Sequence, residues 1–145
     1  MARPPSEAIV DASVAIKWVF EEAGSEQASM LAKSRLSAPD LIDAECANVL
    51  WVKRVRGELS EAEALDRIAR LLRAPVDRVP CREVAVAALK LSIDLGHPAY
   101  DCLYLALAIR NSVPLVTADK RFVVAVARHP YLAATVIDLG SLPVP

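Results

Sequence analysis

Pro98-Ala-Tyr-Asp-Cys-Leu-Tyr-Leu-Ala-Leu-Ala-Ile-Arg110 runs through Asn111-Ser-Val-Pro114 into Leu115-Val-Thr-Ala-Asp-Lys-Arg121. The first part reads as an almost unbroken apolar helix with one acid, Asp101, in its first turn. The last part reads as a short buried strand that ends at a second acid, Asp119. A helix, loop and strand in this order bring both carboxylates to one edge of a parallel sheet. Open α/β folds bind their ligands along that edge, beyond the carboxyl ends of the strands. Asp11 and Glu45 sit in equally apolar surroundings earlier in the chain. The expectation is that these four acids converge on a divalent metal.

Working outward, residues 8–10 form a short strand that ends at Asp11. Helices are expected over 14–20 and 25–33, and a weak strand over 36–39. Asp40 reads as the N-cap of a long helix that carries Glu45 and Asn48 and stops at Gly57. Ser60-Glu61-Ala62-Glu63 is a capping box that opens a helix to about residue 74. A strand over 76–79 and a helix over 83–95 follow, with Gly96 as the stop. Beyond Asp119 come a short helix, 122–128, and a last strand, 135–139. Strands alternating with helices predict an α/β fold, a three-layer α/β/α sandwich with a central parallel sheet and right-handed crossovers. Residues 1–145 read as a single domain, with flexible tails at 1–7 and 140–145.

The chain has 145 residues, of which 54% are hydrophobic. That is enough to bury a core, and the apolar surplus points to an oligomer. A formal charge of −1 supplies no overall field for nucleic acid or an anionic membrane, so any such contact needs a local basic patch. Cys46, Cys81 and Cys102 are odd in number and lack paired spacing, which argues against a disulfide framework or a zinc site. The longest clean apolar run, residues 102–109, is too short to span a bilayer, and the first residues lack an apolar signal core. A cytoplasmic protein with no membrane contact is expected.

Each acid has an ordinary alternative role. Asp11 and Asp119 can cap the helices that follow them, and Asp101 suits a helix's first turn. Glu45 lies among Leu41, Ile42, Cys46, Val49 and Leu50, where an unpaired carboxylate costs several kcal/mol unless an arginine or a metal compensates it. The combination is stronger than its parts. Two carboxylates 4 Å apart repel by roughly 4 kcal/mol at an effective dielectric near 20. Four at one edge therefore call for a cation, and hard oxygen ligands suit Mg²⁺ or Mn²⁺. Ser13 and Thr117 flank the acids as candidates for substrate contact. Lys53-Arg54-Val55-Arg56 reads first as a solvated helix end; together with Lys120-Arg121 beside Asp119 it also offers a local basic patch for an RNA backbone. His97 and His129 read as isolated surface or turn residues, Cys102 as core, and Trp18 and Trp51 as core or interface anchors.

Five stretches, Ile9–Trp18, Ala38–Asn48, Gly57–Ser60, Gly96–Ala106 and Leu115–Phe122, together resemble a PIN domain. The resemblance is closest to the VapC-type ribonuclease toxins of bacterial toxin–antitoxin pairs. It implies an Mg²⁺- or Mn²⁺-dependent endoribonuclease whose four family acids fall on Asp11, Glu45, Asp101 and Asp119. It also implies a homodimer and a cognate antitoxin whose tail covers the acidic groove.

Three other readings compete with this one. An aspartate-nucleophile phosphatase wants a second acid two residues after Asp11, where Ser13 stands. A phospho-acceptor receiver domain wants adjacent acids at the first strand end and a lysine after the last strand. A catalytically silent module on the same fold, binding RNA or a partner, shares all four acids with the enzyme.

Overall fold

A computed structural model describes residues 3–144. Five strands form one sheet: β1 (Glu7–Val10), β2 (Arg35–Pro39), β3 (Val76–Val79), β4 (Leu115–Thr117) and β5 (Val136–Asp138). Their order is β3-β2-β1-β4-β5, and every pairing is parallel. Ala8, Ile9 and Val10 of β1 and all three residues of β4 are at most 1% exposed. Central strands this apolar on both faces need cover on both sides. Helices α1 (Ala12–Ala15), α2 (Ser25–Leu31), α3 (Leu41–Val55), α4 (Glu61–Leu72), α5 (Ala85–Leu95), α6 (Ala99–Asn111), α7 (Lys120–Ala127) and α8 (Pro130–Ala133) flank the sheet. The expected three-layer α/β/α sandwich is the fold.

The decisive stretch folds as read. In α6, Cys102 and the run Tyr104–Ala108 are buried, and the helix packs on β1, β2 and β4. It ends at Ser112, whose left-handed backbone (φ 54°) turns the chain into β4. The sheet then fixes the site's position. The chain leaves β1 for β2 and β3 on one side, and returns to β4 and β5 on the other. The switch point therefore lies between the carboxyl ends of β1 and β4. Ile9 pairs with Leu115 and Val10 with Val116, so Asp11 emerges beside Thr117.

Several local details differ from the sequence reading. The helix expected over 14–20 is the single turn α1 followed by a 3-10 turn, Ile16–Trp18. There the indole of Trp18 donates to the Ala28 carbonyl at 2.8 Å, which ties this turn to α2. Asp40 precedes α3 without capping it. Its carboxylate accepts from the Cys81 amide at 3.1 Å, a contact 41 residues away that helix patterning does not report. The capping box of α4 is present in both directions, Ser60 Oγ from the Glu63 amide at 3.1 Å and Glu63 Oε1 from the Ser60 amide at 3.0 Å. The short α8, opened by Pro130, was not foreseen. Of the segments read as tails, Ser6 accepts a backbone bond from Arg35, and Leu142 is buried. Residues 1, 2 and 145 lie outside the described residues. Trp51 is 61% exposed and takes no part in the core.

Candidate active site

Asp11, Glu45, Asp101 and Asp119 line one cleft of about 240 Å³ at the switch point, together with Ser13 and Asn48. Four elements deliver them. Asp11 closes β1 and caps α1; Glu45 comes from the second turn of α3; Asp101 sits in the first turn of α6; Asp119 links β4 to α7. No lysine or arginine lines this cleft. Among the described residues none of the four acids is paired with one, and the basic side chain that meets an acid of the cleft is His97, in contact with Asp101.

Asp11 is the most constrained. Ser13 Oγ donates to its Oδ1 at 2.5 Å and Thr117 Oγ1 donates to its Oδ2 at 2.5 Å. The Val14 amide donates to Oδ1 at 3.3 Å. Each hydroxyl in turn accepts from the β4–α7 loop, Ser13 from the Ala118 amide at 2.9 Å and Thr117 from the Asp119 amide at 3.0 Å. Ser13 and Thr117, expected to meet substrate, thus direct their protons at Asp11 and stitch the ends of β1 and β4 together. Burial still pushes the Asp11 carboxyl up to about 6, against these hydrogen bonds and with a smaller push from the charge of Asp101.

Glu45 is held by a residue the sequence reading passed over. The hydroxyl of Tyr104, a side chain 1% exposed, donates to Glu45 Oε1 at 2.5 Å. Among the described residues no arginine pairs with Glu45. Burial raises the Glu45 carboxyl despite this bond, and Asp101 adds to the rise. Tyr104 lies one turn beyond Asp101, and a buried tyrosine hydroxyl in an apolar helix needs an acceptor, which was the available signal.

Asp101 Oδ2 lies 2.6 Å from His97 Nε2. His97 was read as an isolated surface or turn residue; its place four residues before Asp101, across a helix start, is what brings them together. Asp119 caps α7, with Oδ1 accepting from the amides of Arg121 at 3.0 Å and Phe122 at 3.3 Å. Its capping role is therefore real and coexists with its place in the cleft. Arg54 lies elsewhere. It lines a groove between α3 and α4 and donates to the Leu59 carbonyl at 3.3 Å. Cys102 is fully buried with its thiol raised to about 11, chiefly by burial, as suits core packing.

The acids share a cleft without forming a closed ligand cluster. Among the described residues no three His, Cys, Asp or Glu side chains are disposed to hold a metal ion as they stand. Each carboxylate is drawn instead to its own protein donor. The donor set nonetheless suits a hard divalent cation: all oxygen, negative, and free of any lining base. Asp11 and Glu45 both respond to the charge of Asp101.

The PIN domain model matches residues 8–127. This chain belongs to the PIN domain family. It is 32% identical over 113 residues to the VapC ribonuclease Mb0985 of Mycobacterium bovis, covering 78% of this chain and 86% of that one. It is also 32% identical over 117 residues to ribonuclease VapC3 of Pyrobaculum aerophilum, covering 78% and 89%. The PIN fold itself is matched by the crystal structure of PAE2754 from Pyrobaculum aerophilum. That match has a TM-score of 0.66 and 24% identity, over 92% of this chain and 83% of that one. Its relatives identify this PIN domain as VapC-type.

Proposed function

We propose that this PIN domain is an Mg²⁺- or Mn²⁺-dependent endoribonuclease, the toxin of a toxin–antitoxin pair. The observation that carries the reading is the cleft itself. Four carboxylates line it at the sheet's switch point, and no basic side chain lines it to offset them. The ribonuclease names of the relatives support RNA as the substrate.

In this reading Asp11, Glu45, Asp101 and Asp119 hold the cation. When bound, it supplies Lewis-acid charge for the phosphodiester and lowers the pKa of an attacking water. The rest is done by the chain. Ser13 and Thr117 keep Asp11 oriented, and Tyr104 keeps Glu45 oriented. A cleft of about 240 Å³ is smaller than usual small-molecule pockets and suits one phosphodiester of a longer strand lying across the edge. Lys120 and Arg121 are exposed beside Asp119, where they meet neighbouring phosphates. Arg54, on the α3–α4 groove, is not needed for this contact. The reading also supplies a cognate antitoxin as partner and the cytoplasm as the site of action. Among the described residues no helix is long and apolar enough to cross a membrane.

The purified protein should cut single-stranded or looped RNA in Mg²⁺ or Mn²⁺ and stop when EDTA is added. Cleavage that persists in EDTA, or none in either metal, rejects the reading.

We also assign a homodimer to the exposed face of α5. Val86, Leu89 and Ile93 are 86%, 58% and 73% exposed and fall on one helical stripe. Tyr100, 66% exposed, stands at the start of α6, the helix against which α5 packs. Ile93→Glu should convert a dimer to a monomer in light scattering at micromolar concentration. An unchanged dimer removes α5 from the interface.

A further inference from the structure

We infer that His97 is a positioning residue for Asp101. It fixes the carboxylate through Oδ2 and leaves Oδ1 for a divalent cation. The inference rests on the metal-dependent reading above.

The imidazole is held by features that a surface histidine does not need. Its Nε2 is 2.6 Å from Asp101 Oδ2. Its ring lies against Phe122 with centroids 4.8 Å apart and planes at 40°. Phe122 is 1% exposed, and its amide is bound by Asp119 Oδ1 at 3.3 Å. The support behind His97 is thus the first turn of α7, which another cleft acid caps. The backbone is fixed as well. The His97 amide donates to the Ser92 carbonyl at 3.2 Å, and the His97 carbonyl accepts from Ser92 Oγ. Gly96, with φ +62°, is the left-handed cap that ends α5 immediately before His97.

Asp101 needs such support. Its side chain is 33% exposed, and His97 is its one hydrogen-bond partner among the described residues. Groups that orient a ligating carboxylate typically change metal affinity by about 10- to 100-fold when removed. The same effect is expected here, because Mg²⁺ and Mn²⁺ demand well-placed oxygens.

The test is Mn²⁺ binding to the intact protein, without RNA, by calorimetry or electron paramagnetic resonance. His97→Phe keeps an aromatic ring against Phe122 and removes the donor; His97→Gln restores a donor at similar reach. His97→Phe should weaken Mn²⁺ binding by about 10-fold or more, with an unchanged melting temperature. His97→Gln should bind within about threefold of wild type, well inside that loss. If His97→Phe does not fold, His97→Leu gives the same donor-free comparison. Donor-free variants that bind Mn²⁺ as well as wild type, or better, overturn the inference while the metal reading stands. A wild-type protein that binds no Mn²⁺ overturns the metal reading, and this inference with it.

Discussion

Asp101→Asn should reduce RNA cleavage by about a thousandfold or more while leaving the fold at least as stable as wild type. The two halves have one cause. Asp101 contributes a negative charge that Asp11 and Glu45 both feel. In the protein alone that charge is a repulsion, and the isosteric amide relieves it. With a cation bound, the same charge is an attraction that the amide lacks. Metal-ion stabilisation of a phosphodiester transition state is worth several kcal/mol, and each 1.36 kcal/mol is tenfold in rate. Losing about 4 kcal/mol of it therefore reaches a thousandfold. The asparagine still offers an oxygen to His97 Nε2, so the start of α6 should keep its conformation. Cleavage of a labelled RNA in Mn²⁺ and urea denaturation in EDTA measure the two halves. Normal cleavage by the variant removes Asp101 from the chemistry. Lost cleavage with an unfolded variant makes Asp101 structural.

The sheet and the positions of the acids were legible because they follow from local pattern. An apolar run that ends in an acid, as at Val10-Asp11 and Val116-Thr117-Ala118-Asp119, marks a buried strand and its exit. Alternation of strands and helices makes all exits face one edge. What the acids bind within the protein was not legible. Tyr104 reaches Glu45 across 59 residues and Thr117 reaches Asp11 across 106. Periodicity reports which face of an element is buried, and says nothing about which polar groups meet there. Glu45 shows the consequence. Its apolar neighbourhood correctly demanded compensation, and a tyrosine hydroxyl provides part of it where an arginine was considered. Arg54 shows the converse. Its charge suggested an RNA contact, yet two to three helical turns carry it from Glu45 to the α3–α4 groove. His97 was within reach of the sequence, since four-residue spacing to an acid at a helix start is a local signal. Spacing between two histidines is the pattern that marks a metal ligand, and His97 has no such partner, so its single acid neighbour is the weaker signal.

In EDTA the wild-type protein should lose about 2 kcal/mol of stability relative to Asp11→Asn as the pH rises from 4 to 7. Burial raises the Asp11 carboxyl to about 6 in the folded state, against an ordinary value near 3.9 in the unfolded chain. The folded state therefore binds the proton more tightly, and between these two values it carries more protons than the unfolded state. Stability falls with pH wherever that holds. The contribution is complete below the unfolded value, is lost as the pH passes through the folded one, and is level above about 7. A difference of roughly two units is about 3 kcal/mol in full, of which about 2 kcal/mol, or about 4–8 °C in Tm for a chain of this size, falls between pH 4 and 7. Asparagine mimics the protonated acid, and the rotatable hydroxyls of Ser13 and Thr117 can accept from its amide. The variant should thus match wild type near pH 4 and exceed it at pH 7, and the difference curve cancels the other carboxylates. Mn²⁺ should then restore wild-type stability at pH 7 and leave Asp11→Asn nearly unmoved, because binding to the folded state alone stabilises by mass action. Parallel melting curves for the two proteins from pH 4 to 8 would mean that Asp11 is already compensated within the fold. The cleft would then hold no excess charge at this position for a cation to neutralise.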